Sequence, residues 1–309
     1  MSATRANNIA ASVRQRLLNL SKASGEPFDL VLVRYALERF LFRLSISPFA
    51  DQFVLKGALL YIVWDNDLYR PTRDGDLLAF GPNEVTRIEK SFKEISRIEF
   101  EDGIVFDADS VRAVEIAEEN VYSGVRTTFV ARLERAKIPV QFDIGFGDAI
   151  TPAVEQIAYP TLLEFPGPVL RAYPVYTVLS EKLEAMVKFG MQNSRMKDLY
   201  DLWVLPRRFG LDGVILANAV SATFARRQTS LPDSVPDGLT RQFSDVPAKA
   251  AQWTAFLRKN RLPAETKLRD VQASIAALVM PVLIALRRGE KFTSTWKPGG
   301  PWVENTRQE

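Results

Sequence analysis

The feature that most limits the possible folds is a change of character at residues 160–174, which hold Pro160, Pro166, Pro168 and Pro174. Before this stretch, helical and strand patterns are mixed; after it, only helical patterns appear. Apolar residues recur at helical spacing through Ile9, Val13 and Leu17, and again through Leu30, Val33, Leu37, Phe40 and Leu44. The spacing predicts further helices over residues 53–64 and 84–95. Residues 65–73 read as a turn, and residues 77–80 as a short buried strand. Three strand runs follow, over residues 111–116, 125–133 and 138–144. In the second, Thr127, Phe129, Ala131 and Leu133 alternate with Thr128, Val130 and Arg132. Residues 160–174 themselves read as linker or edge structure. Beyond them, residues 177–190, 194–209, 212–227, 245–260 and 266–288 carry helical patterns. Residues 289–309, with Pro298, Gly299, Gly300 and Pro301, read as an irregular tail. The expected fold is α+β: a mixed sheet flanked by helices over residues 1–174, then a mostly helical domain over residues 175–309.

The chain has 309 residues with no cysteine and no histidine. Disulfide staples, thiolate or imidazole metal sites and Ser-His-Asp triads are therefore excluded. Any acid–base or metal chemistry falls to carboxylates, lysines, tyrosines or the substrate, and carboxylates are hard ligands suited to Mg²⁺ or Mn²⁺. No run approaches the ~20 apolar residues that span a bilayer. The longest, residues 275–286, contains Pro281, and the amphipathic N-terminus carries Arg5, Arg14 and Arg16. The expectation is a cytoplasmic protein without a membrane partner. Net charge is only +3, and the basic pairs of the C-terminal half, such as Arg207–Arg208 and Arg287–Arg288, read first as solvated helix faces.

The chemistry-bearing stretch is Arg73-Asp74-Gly75-Asp76-Leu77-Leu78. On extended backbone, residues two apart share a face, so Asp74 and Asp76 aim two carboxylates at one point. Their mutual repulsion is relieved by a divalent cation. A lone Asp-x-Asp is common and is otherwise a solvated strand end. Upstream, Lys56-Gly57-Ala58 offers a glycine turn into a helix, where phosphate oxygens can approach backbone N–H groups. Downstream, Asp143 sits inside the apolar run Gln141-Phe142-Asp143-Ile144-Gly145 and needs a partner, either a metal or a nearby arginine. A glycine turn, an Asp-x-Asp pair and a later strand aspartate are the elements of a polymerase-β-like nucleotidyltransferase site, where positioning and charge stabilisation do most of the work. In the helical half, Lys182 and the stretch Arg195-Met196-Lys197-Asp198-Leu199-Tyr200-Asp201 place an aspartate where it can hold a lysine that meets a triphosphate. An ordinary helical hairpin with ion pairs fits those residues as well.

In order, Phe53-Val54-Leu55-Lys56-Gly57, Arg70-Pro71-Thr72-Arg73-Asp74-Gly75-Asp76, Phe142-Asp143-Ile144-Gly145-Phe146-Gly147-Asp148, Glu181-Lys182-Leu183-Glu184-Ala185 and Arg195 to Leu202 resemble the AbiEii-type nucleotidyltransferase toxins of bacterial toxin–antitoxin systems. The resemblance implies a polymerase-β-like fold with an added helical domain. It implies transfer of a nucleoside monophosphate from an NTP to an acceptor, for some members the tRNA 3′ end, and a cognate antitoxin. It matches Asp74 and Asp76 to the metal pair, Asp143 to a third metal carboxylate, Lys182 to the nucleotide-contacting lysine and Asp198 to the essential aspartate. Lys56, Gly57, Ala58, Arg73 and Arg195 join Lys182 as expected nucleotide contacts. Two positions depart from the family pattern. Ala58 lacks a hydroxyl that could contact phosphate, and Gly75 replaces a bulky aliphatic residue, which predicts a looser strand at a cost of ~1 kcal/mol or more. Two alternatives stay open: transfer to a protein hydroxyl, and a non-enzymatic module that keeps the fold.

Overall fold

Strict alternation in one strand shows how the first unit is built. In the computed structural model, which describes residues 3–65, 72–116 and 124–305, Val125, Thr127, Phe129, Ala131 and Leu133 are buried while Thr128 and Arg132 face outward. These belong to β4 (Gly124–Leu133), which pairs antiparallel with β3 (Ile104–Ile116) and β5 (Ala136–Phe146). Beyond β5 the sheet continues through β2 (Gly75–Ala79), β1 (Phe53–Lys56), β7 (Val169–Ala172) and β6 (Glu155–Ala158). Among the described residues this is a seven-stranded mixed sheet, because β5–β2 and β1–β7 are parallel and the other pairs antiparallel. Helices α1 (Ala3–Ser24), α2 (Phe28–Ser45), α3 (Leu60–Asp65) and α4 (Val85–Ser96) complete the unit. Its core is aromatic: Phe40 of α2 lies 5.1 Å from Phe92 of α4, 4.7 Å from Phe129 and 5.0 Å from Phe142, centroid to centroid.

Three expectations change here. Residues 53–64 are not one helix: Phe53–Lys56 is a strand, Gly57–Leu59 a 3₁₀ turn, and the helix begins at Leu60. A strand buried on both faces shows no alternation, so its apolar run reads like part of a helix. Strand β3 starts at Ile104 instead of residue 111, because a register shift between Asp107 and Arg112 interrupts the period of two. The proline-rich stretch is no linker, since β7 lies within the sheet between β1 and β6. Arg70 and Pro71 of the expected turn fall outside the described residues.

The second compact unit is Asp148–Val154 with Pro174–Glu309; the division expected at residue 174 had left residues 148–154 in the first. It contains α5 (Val175–Phe189), α6 (Met196–Arg208), α7 (Gly213–Arg226), α8 (Arg241–Asp245), α9 (Pro247–Lys259) and α10 (Leu268–Arg288). Its C-terminal stretch is ordered where an irregular tail was expected. Strands β9 (Thr295–Trp296) and β10 (Trp302–Val303) pair with each other, and β9 pairs with β8 (Leu211–Asp212). Trp296 is buried and its Nε1 donates to the Pro206 carbonyl at 2.8 Å, an anchor that local composition does not reveal. Helix α10 also runs past the apolar segment read from the sequence, with Pro281 inside it. It is long and apolar enough to cross a membrane by length and composition, yet half of that window is buried, including Val271, Ile275, Leu278 and Val282.

The first unit buries charge as well as rings. Arg39 Nε donates to Asp102 Oδ2 at 2.7 Å, and Arg43 donates to both Asp102 oxygens at 2.8 and 3.0 Å. One carboxylate thus serves two buried guanidiniums. Glu38 is a neighbour in this cluster, 2% exposed, and accepts from the Leu162 N–H at 2.7 Å. Burial pushes its carboxyl up to about 7, against the Leu162 hydrogen bond and Arg39, which pull it down. A carboxyl whose folded value is raised favours the fold below its unfolded value of 4.5, and that contribution is lost as pH rises through about 7. We expect Glu38→Gln to gain stability relative to the parent across that window, by at most about 3 kcal/mol. Denaturant titrations of both proteins at pH 4.5 and pH 8 check this, and equal pH slopes contradict it.

Candidate active site

Four strands place four charges in a row. Lys56 ends β1 and pairs in register with Asp76 of β2; Asp76 pairs with Asp143 of β5; Asp143 pairs with Arg126 of β4. Register partners on adjacent strands point to the same face, and strands lie ~4.8 Å apart. The order across the sheet is therefore cation, carboxylate, carboxylate, cation. Asp74 immediately precedes β2, and Thr72 donates its hydroxyl to Asp74 Oδ1 at 2.7 Å. The Arg126 guanidinium is held above the ordinary arginine range, first by its hydrogen bonds to Asp143 and further by the charges of Asp143, Asp74 and Asp76. That places all three carboxylates within electrostatic reach of one arginine.

The glycine turn makes room for a neighbouring strand's side chain. Gly57 has φ +72°, and a Cβ there would lie 2.0 Å from Asp76 Oδ2. The missing side chain leaves room for the Asp76 carboxylate, which no other residue type permits. The buried Ala58 side chain leaves only backbone groups for a ligand. Lys56 Nζ sits 5.9 Å from the Tyr173 ring centroid. Arg73 is turned to α2, where its Nη2 donates to Asp29 at 2.5 Å and holds that carboxyl below the usual range.

Asp143 lies beside Asp76 as a strand carboxylate, but both of its oxygens are engaged. Arg126 Nε reaches Oδ1 at 2.8 Å, Arg126 Nη2 reaches Oδ2 at 2.7 Å, and Gln141 Nε2 reaches Oδ1 at 3.2 Å. The partner left open between metal and arginine is thus an arginine in this structure. Among the described residues, no three carboxylate, histidine or cysteine side chains gather into a cage of their own. Asp74 and Asp76 supply the donor type that suits Mg²⁺, an ion commonly held by one or two carboxylates with waters and substrate phosphates completing its shell.

In the second unit, Lys182 of α5 is pinned by α6: its Nζ lies 2.8 Å from Asp198 Oδ1 and 2.9 Å from Asp201 Oδ2. Arg195 Nη1 stands 3.8 Å from Asp198 Oδ2, with its guanidinium 5.0 Å from the Phe189 ring centroid. Nearby on α5, Glu181 and Glu184 share Arg227 with Asp148, at 3.2, 2.9 and 3.2 Å. Burial opposes the Arg227 charge, but Glu181, Asp148 and Glu184 outweigh it and hold the group above its ordinary range.

Residues 39–276 match the family described as "Nucleotidyl transferase AbiEii toxin, Type IV TA system". The chain belongs to this AbiEii family. No curated protein matches it. Among solved structures, JHP933 from Helicobacter pylori is 14% identical with a TM-score of 0.44, covering 81% of this chain and 90% of its own. A candidate nucleotidyltransferase from H. pylori is 15% identical with a TM-score of 0.43, covering 82% of this chain and 95% of its own.

The glycine expected to loosen its strand is tightly packed in the structure. Gly75 leaves no gap: a Cβ there would lie 2.3 Å from Phe142 Cε1, and Phe142 is its register partner on β5. The ring fills the volume that an aliphatic side chain at residue 75 would occupy. Sequence reasoning missed Thr72 and Arg126 as site neighbours. Arg126 was open to discovery, since it is a charge on the outward face of a strand whose register partner is Asp143.

Two outcomes follow. Gly57→Ala displaces the Asp76 carboxylate and lowers nucleotidyl transfer by on the order of 10²-fold, as misplacement by about 1 Å does; an initial-rate assay on a variant of parental melting temperature reads it. Gly75→Val overpacks the ring and destabilises by about 1–3 kcal/mol. Adding Phe142→Leu recovers part of that loss, and simple additivity in the double-mutant cycle contradicts the assignment.

Proposed function

We propose that this AbiEii protein transfers a nucleoside monophosphate from an NTP to an RNA hydroxyl, with the tRNA 3′ end as acceptor, and so blocks translation. The observation that carries the reading is the register that sets Asp76 between Lys56 and Asp143, with Asp74 two residues away. Asp74 and Asp76 hold Mg²⁺ or Mn²⁺, which when bound neutralises the triphosphate and makes the acceptor hydroxyl easier to deprotonate. Lys56, Arg73 and the backbone at Gly57 and Ala58 bind the nucleotide, and the family resemblance assigns nucleotide contacts to Lys182 and Arg195 as well. Asp198 and Asp201 fix the Lys182 ammonium through its two ion pairs. The acceptor oxygen attacks the α-phosphorus, pyrophosphate leaves, and the hydroxyl proton passes to a carboxylate of the pair. Asp143, the expected third metal ligand, enters this reading through Arg126. The family description also supports an antitoxin partner, and tRNA as acceptor assigns the protein to the cytoplasm.

Phe142 packs where a side chain at residue 75 would lie, which supports a firmly held strand beneath Asp76. The test is transfer of label from each α-³²P NTP, with Mg²⁺, to total bacterial tRNA. Label on RNA is expected, with a loss of at least on the order of 10²-fold in Asp76→Ala and in Lys182→Ala, each folded by circular dichroism. Label on protein that survives ribonuclease would replace the RNA acceptor with a protein hydroxyl. Undiminished transfer by Asp76→Ala would refute the site.

A further inference from the structure

We propose that Arg126 is a triphosphate-binding residue, and that Asp143 is its positioning residue and no ligand of the metal. The proposal rests on the reading of Asp74 and Asp76 as the metal pair. Its first support is geometric. Asp143 takes one edge of the guanidinium, through Nε at 2.8 Å and Nη2 at 2.7 Å. A two-point contact fixes the plane of the group as well as its distance. It leaves Nη1 with no hydrogen bond to any described residue, on a side chain 41% exposed. An arginine docked by one edge and open at the other is prepared to donate to an anion.

The second support is the order of charges. Arg126 and Lys56 stand at the two ends of the row, with Asp143 and Asp76 between them. A divalent ion on Asp74 and Asp76 cancels those two charges and nothing more. The triphosphate still brings excess negative charge, and the row offers a cation on each side of the metal position. If Asp143 instead joined the metal, Arg126 would lose its anchor. With the anchor kept, little side-chain freedom is lost when the nucleotide binds, which is how a pre-set cation gains affinity.

The two parts are separable by measuring metal and nucleotide apart. Mn²⁺ binding without nucleotide is followed by electron paramagnetic resonance. Nucleotide binding is followed by calorimetry, with Mg²⁺ and the α,β-methylene analogue of each of ATP, GTP, CTP and UTP. Arg126→Gln is expected to weaken the tightest analogue about tenfold or more while leaving Mn²⁺ affinity within about twofold. Asp143→Asn should do the same to the analogue, also sparing Mn²⁺, and the double variant should be no worse than either single one. Arg126→Lys, which keeps the charge but not the fork, should recover only part of the affinity and guards against a folding defect. Loss of Mn²⁺ binding in Asp143→Asn would make Asp143 a metal ligand and overturn its positioning role. Unchanged analogue affinity in Arg126→Gln would overturn the role of Arg126, with the metal pair intact. A parent protein that binds neither Mn²⁺ nor any analogue would overturn the underlying site assignment, and this proposal with it.

Discussion

Every charge at the site depends on the register between Gly75–Ala79 and Ala136–Phe146. These strands run parallel, with Gly75 opposite Phe142 and Asp76 opposite Asp143. Side chains alternate along a strand, so a slip of one residue would turn Asp143 into the core and Phe142 onto the charged face. Burial of Phe142 against Phe40, Phe92 and Phe129 makes that slip costly. The same aromatic cluster that stabilises the first unit therefore sets which carboxylates stand side by side. On the other flank, Lys56 owes its place to the pairing of β1 with β2.

Both units hold their buried charges by sharing partners. Asp102 serves Arg39 and Arg43, Asp198 and Asp201 share Lys182, and three carboxylates share Arg227. Buried charges persist where their partners are fixed by more than one contact, because an unpaired buried ion costs several kcal/mol. Asp143 and Arg126 follow this pattern at the edge of the candidate site, with one face of the pair half open to solvent.

Much of this was legible in the sequence wherever the pattern is local. The alternation of β4 and the Asp74–Asp76 spacing sufficed to place a strand and an acidic pair. The two helices of Lys182 and Asp198 were legible from helical spacing, whereas the ion pair between them was only one of two readings left open. What escaped notice depends on partners distant in sequence. Phe53–Lys56 looked helical because both of its faces are covered by elements elsewhere in the chain. The tail around Trp296 looked irregular because its strand partner, Leu211–Asp212, lies some eighty residues earlier. Gly75 looked like a loss because the ring that replaces its side chain sits on another strand. Arg126 and Asp143 are likewise apart in sequence, and only pairing of β4 with β5 makes them neighbours.

The contact between Gly75 and Phe142 also bears on how such a site changes over time. Two single steps lead between this arrangement and one with an aliphatic residue at 75 and a smaller one at 142. If the ring enlarges first, the intermediate is overpacked; if the strand residue shrinks first, the intermediate holds a cavity. Either route crosses a protein weakened at the strand that carries Asp76. The two positions are thus coupled, and either one changed alone weakens the packing of this strand.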